Sequence, residues 1–567
     1  MSTLFGILGA AKSGLIANQL SLQTTSNNVA NAGTPGYSRQ RVDLTEALPE
    51  TLPVGQLGTG VSVDGIRRLR NQFLDHQFYQ AQQILGERQA TQSALGQIEA
   101  LLGEPSDNGL QAGLSSFFAS LQDLASYPAD LTTRRAVLEQ GSILAGDFNR
   151  LSSGLIALER NIESDIASKV AGVNTILQEV ASLNGQIQTV TVAGGSPNAL
   201  LDQRDLRLDE LSHLVGITTI ARQDGTVHVS LTGGGGVLVD GQTAATLGLV
   251  LSATSDTYGL TLGGTPVTPI AGEIVGLLNV RNDPDHSLKY AQRQLDDLAA
   301  ALIREMNRLQ ADGAGLAGQG STTSQHPVSD PAIALGSAGL PFAPTVPGSV
   351  GVFVYDATGA VSASGSLTLT AATTLNDLAS QLASIPGLST SISGGRLTVT
   401  AAAGATFSFA NDTTGALAAL GVNAFFTGTN ARSMAVNDAL VADPGLLSAG
   451  MPDPATGIVG PGDNRVALAM AGLRQAKILD GGTSTPVDFY AAAIGAIGGR
   501  TQASNRLVAS QDLVVQTIQN QREQVSGVSL NEEMTDLIRF QRAFEASARM
   551  IRVVDELLDT IVNGMLR

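Results

Sequence analysis

Leu8, Leu15, Leu22 and Val29 recur every seven residues, and Leu4, Ala11, Asn18 and Thr25 fill the alternate positions. This 3-4 spacing predicts a helix whose stripe seeks a partner helix. Gly6, Gly9 and Gly14 interrupt it, and each costs about 1 kcal/mol relative to alanine in a helix interior. The C-terminus mirrors the pattern: Leu530, Met534, Leu537, Phe544, Ala548, Ile551, Leu558 and Val562 keep helical steps, after a capping-box pair of Ser529 and Glu532. A helix of about 36 residues there would be a rod of roughly 50 Å.

Between the ends, residues 132–192 repeat Leu144, Phe148, Leu151, Leu155, Leu158, Ile162, Ile166, Val170, Val173, Leu177, Val180 and Ile187. That predicts one helix far longer than usual, stopped by Gly194–Pro197. Residues 66–102, 284–310 and 487–524 also read as helix. The period changes in two places. Residues 216–275 are rich in Val, Thr and Gly, with alternation over Thr226–Leu231. Residues 330–430 are nearly free of charge. They suggest strands at Gly351–Tyr355, Ser366–Thr370 and Arg396–Thr400, and a helix at Thr374–Ala383. The expected fold is multi-domain and mainly α with a β-rich insert. Its parts are a terminal helical coiled coil (1–40 and 525–567), a long-helix body (41–329 and 431–524, with a small β region at 216–275) and the β-rich insert at 330–430.

Composition removes most chemistries. The 567 residues carry 33 basic and 50 acidic side chains, a net charge of −17. Only four lysines are present, Lys12, Lys169, Lys289 and Lys477, so nucleic acid is an unsuitable partner. Cysteine is absent, which excludes disulfides, thiolate metal sites and cysteine nucleophiles. No apolar run reaches the ~18–20 residues of a membrane span, and Lys12 interrupts any signal-peptide core; on these grounds alone the chain reads as cytosolic. His76, His213, His228, His286 and His326 form no short-spaced ligand pair. Gly233–Gly236 lacks a following Gly-Lys-Ser/Thr and reads as a hairpin turn. Asp202, Asp205, Asp209 and Glu210 read as the charged face of a helix. No catalytic, cofactor or metal site is expected.

The termini carry the remaining signal. Burying Leu8, Leu15, Leu22 and Val29 yields at most ~2 kcal/mol each, whereas ordering about 30 residues costs ~1–2 kcal/mol apiece in backbone entropy. Two such helices are marginal alone, and packing on neighbouring subunits would tip the balance. They read as polymerisation elements that fold on assembly.

Residues 26–40, SNNVANAGTPGYSRQ, resemble the N-terminal signature of the bacterial flagellar axial proteins, the family of rod, hook and hook-associated proteins. The ending Tyr37–Gln40 is most similar to the hook-associated branch. ALLDQRDLRLDELS (199–212), GDNRVAL (462–468) and SGVSLNEEMTDLIRFQRAFEASARMIRVVDELLDTI (526–561) support it; the 330–430 insert matches only in composition. The resemblance implies a structural, non-enzymatic part of the flagellum, a ring of identical subunits at the distal end of the hook. Its partners would be copies of itself, the hook protein, a second hook–filament junction protein and the flagellar type III export apparatus. It further implies export without a cleaved signal, residence outside the cell, no membrane insertion, no cofactor, and an outward-facing insert. The expected N-terminal assembly stripe is Leu4, Leu8, Ala11, Leu15, Leu22 and Val29, with Pro35, Gly36 and Tyr37 setting the turn after the first helix. Leu530, Met534, Leu537, Phe544, Ala548, Ile551 and Leu558 form the C-terminal stripe, which the resemblance also makes the binding site of a cytoplasmic export chaperone. Alternative readings are a hook or rod protein and, more distantly, an adhesin or enzyme displayed through 330–430.

Overall fold

The computed structural model describes residues 2–565 apart from 53, 54, 105, 454 and 461; Met1 and residues 566–567 of the expected terminal part lie outside the described residues. In chain order the first elements are α1 (Ser2–Ala30), β1 (Gln40–Glu46), β2 (Glu50–Leu52), β3 (Gly55–Leu57), β4 (Val61–Arg68), α2 (Gln72–Leu102), α3 (Leu110–Ser126), α4 (Leu131–Val192) and α5 (Asn198–Leu214). Then come β5 (Ile217–Ala221), β6 (Val227–Leu231), β7 (Val237–Asp240), β8 (Thr243–Ala244), β9 (Leu247–Ser252), β10 (Thr257–Leu262), β11 (Thr265–Val267), α6 (Glu273–Asn282) and α7 (Leu288–Asp312). The next stretch holds β12 (Ser321–Thr323), β13 (Gly348–Tyr355), β14 (Val361–Leu369), α8 (Leu375–Ala383), β15 (Leu388–Ser393), β16 (Arg396–Ala401) and β17 (Thr406–Ala410). The chain closes with α9 (Ala416–Leu420), β18 (Phe426–Thr427), β19 (Ala435–Val436), α10 (Asp438–Ala442), α11 (Arg465–Gly472), α12 (Pro486–Ser526) and α13 (Leu530–Met565). Helix predominates, and the strands form small separate sheets.

The chain forms two compact units, one of residues 1–94, 162–282 and 502–567, the other of 95–161 and 283–501. Three of these limits fall inside α2, α4 and α12, and the fourth follows α6.

In the first unit, α1 and α13 pack together, and the antiparallel ribbon β1–β4, with a bulge at Asp43/Leu44, lies against α1. The sheet β5-β6-β7-β8 and the sheet β11-β10-β9 follow α5. Apolar positions of α4, among them Ile166, Val173, Leu177, Val180 and Ile187, are buried. Asn184, on that buried face, ties the helix to the sheet: its amide donates to the Val227 and Gly241 carbonyls at 2.9 and 2.8 Å and its carbonyl accepts from Val227 N at 3.0 Å. The glycine run 233–236 turns β6 into antiparallel β7, as its composition implied.

The second unit has an aromatic centre, in which Phe117 contacts Phe118, Phe425 and Phe426, each at 5.8 Å between ring centroids. Besides the short pair β18-β19, it holds the sheets β14-β13-β17 and β12-β16-β15, packed with α8 around Val350, Val352, Leu367, Leu378, Phe407 and Phe409. Thr374 and Asp377 make a reciprocal capping box at the start of α8. This β-rich core draws in residues before position 330, namely β12, Val328 and Ala311 of α7.

Local differences from the sequence reading have local causes. The helix expected from residue 66 starts at Gln72, because residues 61–68 pair with β1. The helix expected at 284–310 begins at Leu288, after a turn through Pro284 that separates it from α6. Pro cannot continue a helix ladder, and the residue before it avoids the helical region.

Candidate functional site: the terminal helix pair

The expected N-terminal stripe divides by depth. Ala11 is buried, while Leu4, Leu8, Leu15, Leu22 and Val29 are half-buried. The deepest positions of α1 are short: Ala11, Ala17, Ser21, Thr24, Thr25 and Asn28. Phe5, Ile7 and Ile16 stay exposed. On α13 the expected stripe splits too. Leu537, Phe544, Ala548, Ile551 and Leu558 are half-buried, whereas Leu530 and Met534 are 53% and 52% exposed. Ile538 joins them as one exposed apolar group, and Met550, Val553, Leu557 and Ile561 form another beyond the exposed polar positions of 541–549.

Thr34–Tyr37 form a turn closed by Tyr37 N donating to Thr34 O at 3.2 Å, with Pro35 second and Gly36 third at φ +78°. Positive φ at the third position is the type II geometry, which suits Pro-Gly. A Cβ on Gly36 would only touch Leu206, at 3.4 Å, so the positive φ is the reason for glycine. Gly60, at φ +114°, has a different reason: a Cβ there would overlap Ser13 Oγ and lie 2.9 Å from Ala10 Cα. Its neighbour Val61 N donates to Ser13 Oγ at 3.2 Å, so the ribbon meets α1 backbone to helix.

Directly after the turn lies a polar latch that the hydrophobic pattern did not reveal. Asn28, 2% exposed, uses all four hydrogen-bonding positions of its amide. Nδ2 donates to Gln40 O and Glu533 Oε2, both at 2.9 Å; Oδ1 accepts from Tyr37 OH at 2.9 Å and Gln40 N at 3.0 Å. Burial, with the carboxylates of Asp202 and Glu533, pushes the Tyr37 hydroxyl up to about 12, which keeps it a donor. Glu533, also 2% exposed, receives Arg39 Nε at 2.6 Å, and Arg39 reaches Glu532 at 2.7 Å. Glu532, expected as a capping residue, is thus held by Arg39.

A buried ionic cluster continues the latch. Ser38 N donates to Asp202 at 3.2 Å; Arg68 NH1 contacts Asp202 at 2.7 Å and Asp205 at 2.9 Å. Arg70 pairs with Asp75 at 2.8 Å, and Arg522, near the end of α12, pairs with Asp75 at 3.0 Å and Asp209 at 3.2 Å while lying 4.2 Å over the Phe78 ring. Burial pushes the Asp209 carboxyl up to about 6, with Arg522 and Arg70 opposing. Burial works against the Arg70 charge, but Asp205 and Asp75 outweigh it and hold its pKa raised. Asp202, Asp205 and Asp209, read from sequence as a solvated face, are ion-pair partners instead; Glu210 alone of that group is exposed. Their 3-4 spacing on α5, matched to Arg67-Arg68-Leu69-Arg70, was the available signal. Among the described residues no group of three or more His, Asp or Glu is placed to hold a metal. No helix is long and apolar enough to cross a membrane among them.

Both ends and the middle of this architecture match known families. The family "Flagella basal body rod protein" matches residues 8–37, "Flagellar basal body rod FlgEFG protein C-terminal" matches 518–564, and "Flagellar hook-associated protein FlgK helical domain" matches 95–323. The class is thus a flagellar axial protein with rod-type ends. Flagellar hook-associated protein 1 of Bacillus subtilis (strain 168) is 30% identical over 599 aligned positions, covering 100% of this chain and 99% of the relative. Its namesake in Escherichia coli (strain K12) is 28% identical, covering 98% and 99%. The structure of the flagellar hook junction protein FlgK from Burkholderia pseudomallei superposes with a TM-score of 0.52 at 19% identity, over 80% of this chain and 100% of that one; this likeness concerns the fold. The chain belongs to the flagellar hook-associated protein 1 family.

Proposed function

We propose that this protein is a structural, non-enzymatic subunit of the hook–filament junction, built into the flagellar axis through α1 and α13. Copies form a ring at the distal end of the hook, contacting hook protein below and a second junction protein above. The finer layout follows the sequence reading: a terminal coiled coil (1–40, 525–567) inside, the helical body around it, and residues 330–430 facing outward. The chain travels unfolded through the type III export apparatus to the cell exterior, with a cytoplasmic chaperone covering α13 beforehand.

One observation carries the reading. Having packed against α1, α13 still presents Leu530, Met534, Ile538, Met550, Val553, Leu557 and Ile561, each roughly half exposed. Rows of large apolar side chains on a folded surface mark interaction sites. Covering their exposed halves returns about 1 kcal/mol per side chain. Phe5, Ile7 and Ile16 of α1 are likewise exposed.

The test is immunogold electron microscopy of intact flagella and isolated hooks with antibody to residues 330–430. A narrow band of label at the distal end of the hook is the expected result. Label along the whole hook would make this a hook protein, and an unlabelled axis would sink the axial reading.

A further inference from the structure

The contact between α1 and α13 is lined on the α1 side by short side chains. Ala17, Ser21 and Thr25, successive residues four apart, are all buried, and a Cβ on Gly14 would rest 3.4 Å from Ser547 Oγ. Sliding α13 by one helical turn sets its half-buried residues against a near-identical surface, so a seam of this kind discriminates poorly between registers. The Asn28 cluster is different. Its amide makes four hydrogen bonds to three residues, and one of them, Glu533, belongs to α13. A four-residue slide, close to one turn, moves Glu533 about 6 Å along the axis. Both Asn28 Nδ2 and Arg39 then lose a buried carboxylate, and the carboxylate loses its donors; unpaired polar groups in such a site are strongly disfavoured. A single buried polar pair in an otherwise tolerant helix seam is the arrangement known to select one register.

We infer that Asn28 and Glu533, clamped by Arg39, are the register pin of the α1–α13 pair: positioning residues that fix the height of α13 and so determine which apolar side chains it presents outward. Its consequence for assembly rests on the proposed function, whereas the pin itself is a property of the free subunit.

The chain has no cysteine, so paired cysteines report register without background. Gly14→Cys is combined in turn with Ser547→Cys, Ala543→Cys and Ile551→Cys, one native and two displaced by a turn, and dilute protein is oxidised and mapped by mass spectrometry. With the pin intact, the 14–547 bridge should exceed each displaced bridge at least 10-fold. In Asn28→Leu/Glu533→Leu the three yields should come within about 3-fold of one another. Glu533→Gln, which keeps an acceptor for Asn28 and loses the ion pair, should restore most of the preference. An undiminished 10-fold preference in the double leucine variant would overturn the inference. Should that variant lose all three bridges, Glu533→Ala, which leaves Asn28 its three other hydrogen bonds, decides by the same criterion. Incorporation into hooks is scored separately: a register change without loss of incorporation would refute the assembly reading and leave the pin standing.

Discussion

Replacing Asp209 with asparagine separates two opposed effects in the ionic cluster. The carboxylate gains from Arg522, 3.2 Å away, and loses from burial, with Asp205 repelling it on the same helix. Arg70, Asp75 and Tyr79 complete its charged and titratable surroundings. The balance raises its pKa from 3.8 to about 6. That rise corresponds to ~3 kcal/mol at most. About a quarter of the side chain still meets solvent, so a range of ~1–3 kcal/mol is reasonable. The sign follows from linkage. A raised acid binds its proton more tightly in the folded state, so its contribution to stability is complete below pH ~4 and is lost as pH rises through 6. Asp209→Asn should therefore stabilise the junction of α5 and α12 at pH 8 and change little at pH 4. Hydrogen exchange over residues 198–214 and 515–526, corrected for intrinsic rates, reads local opening; 1–3 kcal/mol means about 5- to 150-fold slower exchange at pH 8. Faster exchange in the variant at pH 8 would refute the reasoning, because it would mean that the pairing with Arg522 outweighs the cost of burial.

Four further outcomes are expected. Leu557→Asp, among the exposed apolar residues of α13, should abolish incorporation into hooks while leaving the subunit's circular dichroism and melting unchanged. Asn28→Asp places an acceptor against Glu533 and the Gln40 carbonyl; it should weaken the latch by ~3 kcal/mol or more, seen as faster exchange in residues 24–40 and 530–537. Gly60→Ala imposes a side chain at φ +114° against Ser13 and should loosen α1 by on the order of 2 kcal/mol, measured as faster tryptic cleavage at Lys12. Phe425→Ala, in the aromatic centre of the second unit, should cost ~3–5 kcal/mol and lower that unit's melting temperature.

Long-range periodicity was the legible part of the sequence. The heptad-like run of 132–192 became α4, 487–524 became α12, and the alternation at Thr226–Leu231 became β6, because each writes its buried face at a fixed spacing. Polar partnerships left a weaker trace, a 3-4 spacing of carboxylates on α5 that does not say what lies opposite. Arg68 meets Asp202 from 134 positions away, and a carboxylate on a helix face looks the same whether an arginine or water lies opposite. Asn28 and Glu533 are 505 positions apart, and neither fits an apolar pattern. The small residues of α1 misdirected the depth reading for a related reason. Leucine stripes mark where a helix is apolar, but close approach is set by where it is thin, and Ala17 and Ser21 reach deeper than Leu15 and Leu22.

That thinness shapes how α1 is fastened. Alanine, serine and threonine let two helices touch but surrender little when parted, since methyls are small and hydroxyls rehydrate readily. The strongest polar attachments of α1 sit near its base, at Asn28, so it is buckled at one end rather than glued along its length. Exchange protection should accordingly fall toward Ser2, giving a free end that can trade its neighbour for an equivalent surface on an adjoining molecule while its base keeps its address.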